Sequence, residues 1–395
     1  MDRRAFRARV LQSCGAGPAE VEELLHYNDN VFQQAPASGQ KFPLEDEPFV
    51  AAWSEYVAEA SRDGLDVCLK RRLVQFRFPI RSGMGESEEY RNATRRGELP
   101  PQSGEGLVFQ RPDLCRLVLH HTAAGRIPLL ILGDRSDFVA CVQALTKRNE
   151  PVPIPPSMGA SMVAGYNNWD RIRQVRADWE RGRAGSTSDA DWAFEWQRII
   201  PQKHLYQDRF ILLSDGPYSG VSAEAMEMTP DEWRAISLII RREHECTHYF
   251  TRRVFASMRN NLIDELLADY SGIVAAAGTF HSSWLLRFLG LENFPEYRRG
   301  GRLENYRGDP PLSESAFLVL TRIVQRAAMH VEEFHRTHEK LLERENIRSV
   351  LIMTLAEFTA EELASEEVQE LLSTSLRRRL ELTQVAQASN GASFG

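Results

Sequence analysis

Apolar positions change period several times along the chain, and those changes set its predicted elements. Residues 19–28 (AEVEELLHYN) and 47–64 (EPFVAAWSEYVAEASRDG) repeat apolar side chains every three or four positions, which predicts two helices, the second stopped by Gly64. Dense apolar runs at 72–80 (RLVQFRFPI) and 125–134 (GRIPLLILGD) predict strands, and 136–149 (SDFVACVQALTKRN) predicts a helix opened by Ser136. The prolines of 150–158 and the glycines and serines of 181–191 (RGRAGSTSDAD) interrupt the pattern, and the second stretch is the candidate linker. Beyond it, 209–220 (RFILLSDGPYSG) predicts a strand with its turn. Two long helices are then predicted at 229–256 and 260–278, and from about Pro311 helical spacing runs almost to the C-terminus. The last residues, 388–395 (ASNGASFG), are expected to be disordered.

The helix at 229–256 has a well-marked start. Thr229 is its N-cap, Pro230 lies in the first turn, and Glu232 completes a capping box. Further along it, RREHECTHYF (241–250) places His244 and His248 four residues apart, on one face and one turn from each other. Both imidazoles can then point at one ion. Glu245 projects about 100° from His244, within reach of a water on that ion but off the ligand face, so it reads as a base. A catalytic zinc site needs a third protein ligand and one open position. The helix at 260–278, capped by Asn260 or Asn261, offers Glu265 and Asp269 four residues apart, with Leu262, Leu266, Ile273 and Val274 as packing surface. Glu265 suits ligation. Asp269 suits the acceptor that fixes a ligand histidine through its other ring nitrogen. Asp264 is also a possible ligand, but it points about 100° away from Glu265 and has no partner four residues on.

The pattern His244-Glu245-x-x-His248, followed by Glu265-x-x-x-Asp269-x-x-Gly272, resembles the paired-helix signature of the gluzincins, the thermolysin-like zinc metallopeptidases. The match covers about thirty of the 395 residues, and its loop is a few residues shorter than in most such enzymes. The resemblance implies one Zn2+ held by His244, His248 and Glu265, Glu245 as general base, and Asp269 as the partner of His244. It also implies an edge strand that holds the substrate backbone, a place that 209–220 would take. A donor for the developing oxyanion remains open among Tyr270, Arg302 and Tyr306, with His281 behind them. The fold expected is α+β, with an α/β region at 1–185, a zincin-like catalytic core at 186–300 and a helical region at 301–395. The function expected is hydrolysis of a peptide or amide bond. The alternatives are a small-molecule amide hydrolase and a binding protein with a structural metal.

Composition narrows the partners. With 43% hydrophobic and 26% charged residues the chain reads as a globular protein, and its net charge of −7 argues against nucleic acid as the main ligand. No apolar run is long enough for a membrane helix, and the arginines near the N-terminus precede no signal-peptide core. Five widely spaced cysteines without a CxxC pair fit free thiols in a reducing compartment, and the cytoplasm is expected. His335 and His338 are expected on a solvated helix face, 90–101 (YRNATRRGELPP) as a surface loop, and His120 and His121 on opposite sides of an extended segment.

Overall fold

The computed structural model describes residues 2–29, 32, 41–99, 106–183, 185, 187–257, 262–342 and 347–391. Helices α1 (Arg3–Ser13) and α2 (Pro18–Tyr27) come first. They are followed by α3 (Phe49–Asp63), α4 (Leu65–Arg72), α5 (Glu88–Arg96), β1 (Cys115–Thr122), β2 (Gly125–Leu132), α6 (Arg135–Thr146) and β3 (Ala160–Asn167). Next are α7 (Trp169–Arg181), α8 (Asp189–Ile199) and β4 (Gln207–Ser214). Then come α9 (Pro230–Phe255), α10 (Leu262–Ala277), α11 (Ser282–Leu289), α12 (Glu314–Leu342), α13 (Ile347–Leu355), α14 (Ala360–Leu363) and α15 (Val368–Gly391). The class is α+β. Among the described residues no helix is long and apolar enough to cross a membrane.

The chain divides into two units, one of Glu45–Gly216 and one of Met1–Leu44 with Pro217–Gly395, where the sequence suggested boundaries near 185 and 300. The reason lies in packing. The first two helices bury Val10, Leu11, Val21, Leu24 and Leu25 and lie against α12 and α14, far away in sequence.

In the unit of Glu45–Gly216, a four-stranded sheet runs in the order β1-β2-β4-β3. β1 and β2 form an antiparallel hairpin closed at Thr122 and Gly125, β2 pairs parallel with β4, and β3 pairs antiparallel with β4. Trp53 and Tyr56 of α3, Phe138 of α6, and Leu130, Leu132 and Phe210 of the sheet share one core. The strand expected at a sheet edge is therefore an inner one. β4 pairs with β3 along 207–213 and with β2 along 211–214, so over 211–213 its backbone has no free edge to offer a substrate.

Other expectations on this unit are corrected locally. Residues 72–80 form no strand; Val74–Arg77 is a 3-10 turn, because its backbone groups are taken by side chains. Asn149 Nδ2 donates to the carbonyls of Gln75 and Phe78, both at 3.0 Å, and Val74 N–H donates to the Tyr166 hydroxyl at 3.2 Å. Helix α6 is capped by Asp134 rather than Ser136, and 90–101 begins within α5, capped by Ser87 and ended by Gly97 in the left-handed region. The linker expected at 181–191 lies inside this unit, and its residues 184 and 186 are outside the described residues.

In the other unit, Thr229 and Glu232 form the expected capping box of α9. The expected caps of α10, Asn260 and Asn261, lie outside the described residues, as do 392–395 of the tail, whose residues 388–391 close α15. α9 and α10 approach closely at Gly272, where a Cβ would stand 2.6 Å from the Ile240 carbonyl oxygen. Gly272→Ala is therefore expected to destabilise the unit by about 1–3 kcal/mol through overpacking. Chemical denaturation would read it, and an unchanged midpoint would show that the helices can separate freely.

Candidate metal centre

Three side chains converge between α9 and α10. His244 and His248 rise from one face of α9, and their Nε2 atoms stand 3.1 Å apart. Glu265 enters from α10, with Oε2 3.5 Å from His244 Nε2 and Oε1 3.6 Å from His248 Nε2. Ligands about 2.0–2.1 Å from a tetrahedral ion are separated by roughly 3.3 Å, so these spacings fit zinc. All three residues are buried, and their ligand atoms form a group that can hold a metal ion.

The tautomers make the fit chemical as well as geometric. His244 Nδ1 lies 2.9 Å from Asp269 Oδ1, and His248 Nδ1 lies 3.0 Å from Asp264 Oδ2. A carboxylate at Nδ1 holds the proton there and leaves the Nε2 lone pair facing inward. Two such lone pairs and a carboxylate aimed at one another repel unless a cation or a proton lies among them. Without a cation, a proton on the His248 imidazole would meet this need. Burial alone would lower its pKa, but the hydrogen bond to Asp264 and the charges of Glu265 and Glu245 outweigh it and raise it to about 9. A metal bound here would displace that proton.

Asp264 is thus no ligand; it serves His248 as Asp269 serves His244, and Thr251 Oγ1 donates to its other oxygen at 3.0 Å. A signal for it exists in the sequence. Each metal-bound histidine needs its own acceptor, and one assigned acceptor for two histidines leaves the second to be found.

Tyr218 was hidden in the turn that follows β4. Three residues spaced four apart on α9 draw that turn over the helix. Trp233 Nε1 donates to the Val221 carbonyl at 2.7 Å, Tyr218 N–H donates to Ser237 Oγ at 3.0 Å, and Arg241 Nη2 donates to the Pro217 carbonyl at 3.1 Å. The Tyr218 hydroxyl then donates to Asp269 Oδ1 at 2.6 Å and sits 2.9 Å from His244 Nδ1. Ser219, the next residue, is in the left-handed region with φ 51°.

Arg302 and Tyr306 come from a 3-10 turn, Arg302–Tyr306. The Arg302 guanidinium pairs with Asp269 and donates through Nη1 to the Tyr218 hydroxyl at 2.8 Å and to Ser219 Oγ at 3.0 Å. Burial would raise the Asp269 carboxyl, but Arg302, His244 and Tyr218 outweigh it and hold it below its usual range. The Tyr306 hydroxyl donates to Glu265 Oε2 at 2.6 Å. Of the three expected oxyanion donors, Tyr306 is thus beside the Glu265 carboxylate, while Arg302 stands behind His244. Tyr270 is turned away. One residue after Asp269 it is rotated about 100° around α10, and its hydroxyl meets His335 Nδ1 at 2.6 Å. That contact also corrects His335, which is buried rather than solvated. His281 stacks near Trp284, with ring centroids 5.5 Å apart.

Glu245 is half-buried, and among the described residues its side chain makes no hydrogen bond or ion pair, although its charge reaches His248. Cys246 is buried outside the His244, His248 and Glu265 group, and burial pushes its thiol well up.

Two buried imidazoles, one carboxylate and an acceptor behind each imidazole define the class of site as a candidate zinc centre. Over residues 9–367 the chain matches a family described as a family of unknown function (DUF7005), and it belongs to that family. No curated protein and no solved structure matches it.

Proposed function

We propose that the protein is a zinc-dependent hydrolase of the gluzincin kind that cleaves a peptide or small amide bond. The observation that carries the reading is the convergence of His244 Nε2, His248 Nε2 and Glu265 within 3.1–3.6 Å, with both Nδ1 atoms held by aspartates. A zinc ion held by these three would supply Lewis acidity to a water and to a carbonyl.

The chain's own groups do the rest. Glu245 takes a proton from the water whose oxygen bonds to the carbonyl carbon, and it returns that proton to the nitrogen as the carbon–nitrogen bond breaks. The Tyr306 hydroxyl donates to Glu265 Oε2 and so fixes that carboxylate toward the two imidazoles. Tyr218, Arg302 and Asp269 hold His244 in one orientation. A cytoplasmic location suits the five buried cysteines, none of them in a disulfide.

The test is metal content and turnover of the purified chain. One zinc per chain is expected by plasma mass spectrometry, with cleavage of a mixed peptide library that stops on chelation and returns with zinc. A chain that takes up no zinc ends the reading. Zinc without cleavage of peptides or small amides moves it to a structural metal.

A further inference from the structure

The turn that carries Arg302 and Tyr306 is anchored from a distant part of the chain. The Tyr27 hydroxyl, at the end of α2, donates to the carbonyl oxygen of Tyr306. Four residues earlier on the same helix, Glu23 accepts from Ser313 N–H at 2.6 Å and from Ser313 Oγ at 2.7 Å, where the chain leaves the turn for α12. Between these two anchors, Gly308 adopts φ +84°, and a Cβ there would stand 3.2 Å from the Tyr27 ring. One face of α2 therefore holds 306–313 by a side chain at each end, and the Tyr27 ring leaves no room for a side chain at Gly308 in between.

The anchored residue is also the one that touches a ligand. The backbone of Tyr306 is held by Tyr27, and its side chain donates to Glu265 Oε2 at 2.6 Å. We infer that Tyr27 is a positioning residue for the metal centre, acting through Tyr306 to fix the Glu265 carboxylate. The inference rests on the zinc reading above and adds that α2, near the N-terminus, is part of the site's scaffold. Tyr27 itself touches none of the three ligands in the contacts seen, so its effect has to pass through the turn.

The relation can be measured without a substrate. Zinc affinity is read by competition with a chromophoric chelator for wild type, Tyr27→Phe, Tyr306→Phe and the double variant, with circular dichroism to confirm folding. Loss of the Tyr306 hydroxyl is expected to weaken zinc about tenfold, as for other partners behind a ligand. Tyr27→Phe is expected to cost a comparable or smaller factor, and the double variant no more than Tyr306→Phe alone, because the two act in series. Metal-free Tyr27→Phe should also be cut by trypsin faster than wild type after Arg307. Wild-type affinity and unchanged cutting in a folded Tyr27→Phe protein would overturn the inference, as would losses that multiply in the double variant. A wild-type chain that binds no zinc while Tyr27→Phe still loosens the turn would sink the zinc reading instead.

Discussion

Glu265→Ala is expected to lose zinc. The variant removes one of the three proposed ligands and leaves two imidazoles that cannot complete the centre alone. Removing a partner behind a ligand already costs about 10- to 100-fold in metal affinity, and removal of the ligand itself should exceed that. The variant should still fold. Glu265 is buried beside two histidines, and its deletion leaves the Tyr306 hydroxyl without its acceptor, a cost of about 1–3 kcal/mol that the melting curve also reads. The readouts are zinc per chain after dialysis and melting with and without added zinc. Metal at about 100 times its dissociation constant stabilises the wild type by about 2.7 kcal/mol, and the variant should gain almost nothing. Asp264→Asn, which keeps the side-chain shape and removes the charge behind His248, should fall between the two, whereas Asp269→Asn also takes the counter-charge from buried Arg302 and should cost more. Equal zinc in wild type and Glu265→Ala would remove Glu265 from the ligand set and, with it, the argument for the centre.

How far the sequence alone reached follows from the range of each interaction. The helix of His244 and His248 was legible from its capping box and periodicity, and so was the pairing of Glu265 with Asp269, because residues three or four apart on a helix are neighbours whatever the tertiary fold. What failed was whatever depended on partners remote in sequence. Residues 72–80 alternate like a strand, and Val74, Phe76 and Phe78 are buried, yet Asn149 and Tyr166 occupy their backbone groups and no ladder forms. The sequence predicts a strand with its turn at 209–220, and β4 lies at Gln207–Ser214, but edge or interior is decided by two partners, β2 and β3, that local pattern does not name.

The same division runs through the centre. Tyr218 reaches His244 only because Trp233, Ser237 and Arg241 hold a turn against α9, and no spacing rule links residue 218 to residue 244. Arg302 and Tyr306 could be named because a glycine-rich stretch with polar residues follows the second helix. Their separate roles, one behind His244 and one beside Glu265, come from the 3-10 geometry of five residues. Tyr270 failed for a simpler reason. Adjacency in sequence to Asp269 puts it about 100° away around the helix, where His335 is its partner.

Glu245→Gln separates binding from chemistry. The residue lies next to His244 on α9 but outside the group of ligand atoms that can share an ion, so zinc content should stay within about twofold of wild type. The amide of glutamine has nearly the shape of the carboxylate and can hydrogen-bond to water, but it cannot accept a proton at neutral pH. General acid–base catalysis by a placed side chain is worth about 10²- to 10⁴-fold, and kcat/KM for peptide or amide cleavage should fall by that factor. Loss of zinc together with activity would make Glu245 part of the metal's support rather than a base. Retention of both would show that another group moves the proton. Since the Glu245 side chain makes no hydrogen bond or ion pair among the described residues, its replacement should leave the melting temperature of the metal-free chain nearly unchanged, which keeps the kinetic result free of a folding explanation.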